Sequence, residues 1–73
     1  MFNVRKFYKH TNNTDVCIEV HGVLSSDEEG TSLVVTWWNI KAKEPRKLTR
    51  QTVVFIVDAQ RKHWNEFDFG SLA

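Results

Sequence analysis

The 73-residue chain contains one cysteine, one proline, one methionine and three glycines, with only three alanines and four leucines. Each shortage excludes something. With Cys17 as the only thiol there is no intrachain disulfide, and a single thiol suits a reducing compartment, so a cytoplasmic location is expected. Scarcity of Ala, Leu and Met argues against a helical bundle. The opening Met1-Phe2-Asn3-Val4-Arg5-Lys6 lacks the apolar run of a signal peptide or a membrane span, so no membrane partner is expected. No Gly-rich phosphate loop, Gly-x-Ser-x-Gly elbow or His-Glu-x-x-His is present. His10, His21 and His63 fall on three separate segments, and Cys17 and His21 lie about 13 Å apart on an extended strand. No catalytic residue, metal site, cofactor or small-molecule substrate is therefore expected. Asn12-Asn13-Thr14 matches the N-glycosylation triplet, a pattern that a polar turn produces by chance.

What is abundant is β-forming. Nine Val, three Ile, six Thr, five Phe, three Trp and one Tyr make 27 of 73 residues β-branched or aromatic. No repeat, linker or low-complexity tract interrupts them, so residues 1–73 read as one domain. At 8.6 kDa the folded surface should be about 4,700 Å². Apolar burial then contributes about 115 kcal/mol, against about 110 kcal/mol for ordering the chain. With a balance near zero and no disulfide or metal to tip it, tight packing or a second copy of the chain has to supply the rest.

Periodicity divides the chain into strands. A mixed apolar and basic segment, Phe2 to Lys9, ends in the turn Thr11-Asn12-Asn13-Thr14-Asp15. Val16, Ile18 and Val20 then alternate with Asp15, Cys17, Glu19 and His21, and Leu24 rejoins the apolar face after an irregularity at Gly22. Ser25-Ser26-Asp27-Glu28-Glu29-Gly30 reads as a hairpin loop with Gly30 placed for a positive φ. Thr31 to Ile40 is apolar on both faces, as expected of a central strand or a barrel corner. A charged turn around Pro45 leads to a strand from about Leu48 to Val57, a single helical turn over Asp58 to His63, a closing strand Trp64 to Phe69, and a frayed tail from Gly70.

This order, with Thr52-Val53-Val54-Phe55-Ile56-Val57 joined by Asp58-Ala59-Gln60-Arg61-Lys62-His63 to Trp64-Asn65-Glu66-Phe67, resembles the SH3-like small barrels, whose last two strands are linked by a 3₁₀ turn. The resemblance implies an all-β, five-stranded SH3-like barrel with a one-turn 3₁₀ helix before the last strand. An oligonucleotide-binding barrel is the structural runner-up, although it would place a helix where this chain has its charged turn. The acidic and tyrosine-rich signature of proline-peptide-binding SH3 domains is missing, despite Asp27-Glu28-Glu29 in a suitable loop. Type II dihydrofolate reductases, SH3-like chains of similar size, carry Val-Gln-Ile-Tyr on their active strand. The equivalent Val53-Val54-Phe55-Ile56 lacks both the glutamine and the tyrosine. Stand-alone barrels of this kind are similar to uncharacterised proteins of phages and mobile gene cassettes, and they imply an interaction module.

Two surfaces are candidates for that interaction. Adjacent strand residues face opposite ways, so Trp37 groups with Leu33 and Val35 in the core while Trp38 points outward. Exposed tryptophan is a common hot spot, which makes Trp38, with Tyr8 and the edge strands, the candidate contact for a protein partner or a homo-oligomer. A cover from the one-turn segment or from Phe67-Asp68-Phe69 is the alternative fate of Trp38. The second candidate is electrostatic. Residues 41–62 carry seven basic and two acidic residues, net +5, whereas residues 15–29 carry five acidic and no basic residues. Lys41, Lys43, Arg46, Lys47 and Arg50 beside an exposed aromatic would suit a nucleic-acid strand. A methyl-lysine cage of the Tudor type needs aromatics converging from loops, and here they lie mostly within strands.

Overall fold

The computed structural model describes residues 2–72. Six strands form one antiparallel sheet: β1 (Phe7–His10), β2 (Asn13–Ser26), β3 (Gly30–Asn39), β4 (Arg46–Lys47), β5 (Thr52–Val57) and β6 (Trp64–Phe67). Two 3₁₀ helices complete the described residues, η1 (Asp58–His63) between β5 and β6, and η2 (Phe69–Leu72) after β6. Hydrogen-bonded neighbours run β4-β3-β2-β1-β6, with β5 on the same edge of β3 as β4. No described helix is long and apolar enough to cross a membrane.

The expected five strands are thus six, and the sheet is not closed into a barrel. The strand expected from Leu48 to Val57 starts only at Thr52, because the chain leaves the edge of β3 after β4 and rejoins it, running the same way, as β5. There Leu48 N–H donates to Trp37 C=O at 2.8 Å, and Trp37 N–H donates to Thr49 Oγ1 at 3.2 Å. Those bonds use the Trp37 backbone, and the sheet resumes only at Thr52. Closure would need β5 to pair with β6, but η1 carries the chain from one edge to the other and the indoles of Trp37 and Trp64, 6.2 Å apart, stand in the gap. Gly70 begins no open tail, since it lies within η2, while Ala73 lies outside the described residues.

Alternation sorts the side chains as expected on the inner face. Ile18, Val20, Leu33 and Val35 are fully buried, joined by Phe2, Tyr8 and Ile56. β2 stays on this core by bulging between Val20 and Gly22 and again between Val23 and Ser25. A bulge bends the strand and increases its twist. The second one departs from the simple alternation, and Leu24 is left exposed at the hairpin instead of joining the core.

Gly30 is needed for a different reason than a positive φ, which no glycine here adopts. It opens β3 rather than ending a loop, and a Cβ there would stand 2.5 Å from Ile56 O and 2.5 Å from the Phe55 ring. The bare Cα lets β5 lie close against β3 with Phe55 folded over it. The left-handed conformation belongs to Arg5 (φ 69°), in the turn that swings the amino-terminal segment across Val20. Since backbone cannot yield as a flexible side chain does, Gly30→Ala should destabilise the fold by about 2–3 kcal/mol, a Tm loss of roughly 10–20 °C in a domain this small. Thermal unfolding by circular dichroism checks this, and a wild-type Tm would contradict the close approach.

Candidate functional site

The outer face of the sheet has two halves with different fates. Over β1, β6 and the first half of β2 it carries an aromatic cluster. Phe69 from η2 stacks on Phe7 (centroids 4.1 Å) and meets the edge of Trp38 (5.1 Å), while Phe67 packs against Phe7. Trp38 does point outward, but its own chain occupies it. The indole N–H donates to Glu19 Oε1 at 3.0 Å, Lys47 Nζ sits 5.5 Å from the ring centroid, and the side chain is half-buried. Glu19 also lies 3.9 Å from His21, whose Nε2 is hydrogen-bonded to buried Thr36 Oγ1 at 2.7 Å. Tyr8, the other expected contact, is only 4% exposed. It belongs to the inner core, with its ring edge-on to Phe2 and its hydroxyl accepting the Asn3 N–H. Pairing of Tyr8 with Ile18, whose side chain is fully buried, fixes its inward direction.

The basic residues of 41–62 separate into two groups. Lys41, Lys43, Arg46, Lys47 and Arg50 are exposed around the turn that follows β3. Arg61 and Lys62 lie at the opposite end of β3, where Arg61 donates to Thr31 Oγ1 and pairs with Asp58. That same end carries the Asp27–Glu29 turn, held by Asp58 N–H donating to Glu29 C=O at 3.0 Å. The charge dipole therefore runs along β3 and β5, basic at one end and acidic at the other. Trp38 is not a free platform beside the basic turn, because Lys47 and Phe69 already contact it.

The second half of the outer face is bare. Val53, Phe55 and Val57 of β5 are 58%, 54% and 49% exposed, while their neighbours Val54 and Ile56 turn inward. The outer edge of β5 is also unpaired. The Asp58–Glu29 bond sets the phase of the β3–β5 ladder, whose register has no shift. Thr31–Ile56, Leu33–Val54 and Val35–Thr52 exchange backbone bonds, so Val53 and Phe55 aim their N–H and C=O groups at the open edge. Sheet edges are ordinarily blunted by charge, proline or a bulge, and Thr52–Val57 has none of these. Beside the edge lies a groove of about 410 Å³, floored by Trp37 and Trp64 and walled by Val54 to Val57, His10 and Gln60. His10 and His63, on separate segments in the sequence, come together here with ring centroids 5.6 Å apart.

The sequence points to this surface in part: apolar residues on both faces of 52–57 exceed what a one-sided sheet hides, but the pattern leaves open whether barrel closure or a second copy covers them. That signal is the run Val53-Val54-Phe55-Ile56-Val57, whose outer face no other described element covers.

Among the described residues no three His, Cys, Asp or Glu side chains are grouped to hold a metal ion. Cys17 lies on the outer face opposite Trp38 and Lys9, yet it is fully buried. Burial, reinforced by the Glu19 carboxylate and opposed by Lys9, pushes its thiol from 9.0 up to about 12. Because the folded-state value is raised, its stabilising contribution is complete below pH 9 and is lost as pH climbs towards 12. Native protein should therefore resist thiol reagents at pH 8 and react on unfolding, and Cys17→Ala should flatten the alkaline loss of stability. Rapid native labelling would contradict the buried placement. Comparison of the chain with protein-family models, curated proteins and solved structures found no match.

Proposed function

We propose that the chain is a non-catalytic protein-interaction module of SH3-like architecture, whose β5 edge and adjoining groove receive an extended segment of a partner. The observation that carries this reading is the unpaired, unprotected edge of β5 with three exposed apolar side chains on it. The spatial order β6-β1-β2-β3-β5, with a 3₁₀ helix between β5 and β6, supports the architecture. Backbone groups on an open edge supply affinity for any extended chain, and pockets for alternate side chains supply selectivity. Both elements adjoin here: the donor and acceptor of Phe55 lie along one wall of a groove floored by two indoles, and those of Val53 continue the same edge beyond it. Burying a Phe and two Val side chains contributes roughly 1.5–3 kcal/mol each when complete, enough for a transient complex once ordering costs are met.

The test is selection of binders from a random linear peptide library, followed by mapping amide and indole NMR shifts. Selected peptides should alternate β-branched or aromatic residues with polar ones, and shifts should concentrate on residues 52–57 and the indoles of Trp37 and Trp64. Binding mapped to the Trp38 face, or no binders at all, would overturn the reading. A single-stranded oligonucleotide at low salt serves as the comparison. Shifts confined to Lys41, Lys43, Arg46, Lys47 and Arg50, lost when Lys43, Arg46 and Lys47 become Ser, would favour nucleic-acid binding instead.

A further inference from the structure

We infer that the partner segment is β5 of a second copy of this chain, paired antiparallel across a two-fold axis at Phe55. This rests on the reading of β5 as the recognition edge and specifies its occupant.

Three observations converge on a second copy. The first is the segment itself. Thr52-Val53-Val54-Phe55-Ile56-Val57 is uncharged, β-branched or aromatic throughout, and free of Gly and Pro, the composition that pairs with its own kind. Antiparallel pairing centred on Phe55 sets Phe55 against Phe55 and Val53 against Val57. The exposed ridges of the two copies then merge into one apolar strip, and the outward N–H and C=O groups of Val53 and Phe55 find partners.

The second observation is charge. At one end of β5 are Lys41, Lys43, Arg46, Lys47 and Arg50 with Asp15 and Glu44, net +3. At the other end are Asp27, Glu28, Glu29 and Asp58 with Arg61 and Lys62, net −2. Antiparallel pairing about Phe55 lays the basic end of each copy beside the acidic end of the other, while parallel pairing would set like against like. Asp58 of one copy falls opposite Thr52, next to the Arg50 end of its partner.

The third is closure. Each copy offers one β5 edge, so a two-fold pairing consumes both edges and stops at a dimer rather than growing into a fibre. With one short strand contributed per copy, the contact belongs among the small, transient interfaces.

Sedimentation equilibrium from micromolar to millimolar protein should show a reversible monomer–dimer equilibrium. Phe55→Lys and Val53→Lys each place a charge on an exposed position and should weaken it about tenfold or more, as should Arg50→Glu, while Trp38→Ser leaves it unchanged. Cα atoms of a directly bonded antiparallel pair are about 5.5 Å apart, within disulfide reach. Phe55→Cys should therefore give a covalent dimer under mild oxidation, and Glu28→Cys at the hairpin turn should not. A monomer at every concentration overturns the second copy. If selected peptides still bind at β5 in that case, the edge stands as the recognition surface for a different protein. A dimer indifferent to Phe55→Lys and Val53→Lys, or lost with Trp38→Ser, overturns the proposed pairing. Loss of both dimer and peptide binding removes the recognition reading as well.

Discussion

The fold depends on one strand being paired along both of its edges. β3 bonds to β2 for nearly its whole length, and on its other edge it holds β5 along Gly30–Val35 and β4 at Trp38–Asn39. Leu33 and Val35 on its inner face are fully buried and anchor the core against Ile18 and Val20. Because Gly30 has no Cβ, β5 can approach closely, and because nothing follows β5 in the sheet, its far edge is open. One constraint thus produces both the stability of the core and the exposure of the surface proposed to bind.

Size makes that exposure consequential. The folded chain exposes 5100 Å², more than the roughly 4,700 Å² of a typical chain of this mass, and it is elongated at 37 × 23 × 16 Å. A short chain has few elements with which to cover a two-faced sheet. Among the described residues the cover of the outer face is η2 with Phe69, which lies over Phe7 and Trp38. The half of the outer face under η2 becomes a second small core that buries even a cysteine. The half over β5 has no such lid.

How much of this the sequence reveals depends on whether local pattern or tertiary placement decides. Strict alternation from Val16 to Val20, the irregularity at Gly22 and the 3₁₀ segment before the last strand are local, and all appear where the pattern puts them. Parity also separates Trp37 from Trp38 correctly. What parity cannot supply is which outward residues another element will cover. By pattern Trp38 and Tyr8 are the available aromatics, but one lies beneath Phe69 and the other inside the core, while Phe55 stands open. The role of Gly30 was illegible for the same reason, since its neighbour Ile56 is 26 residues away in sequence. Barrel closure likewise turns on the distance between two edges, which strand order alone does not determine.

In the single chain the outer edge of β5 is open. Residue-resolved amide hydrogen exchange in dilute solution tests it most directly. Val54 and Ile56, bonded to β3, should exchange slowly, and the intervening Val53 and Phe55 should exchange at nearly the rate of an unstructured peptide. Uniform protection from Thr52 to Val57 in the monomer would show that the chain covers this edge itself, and would contradict the account.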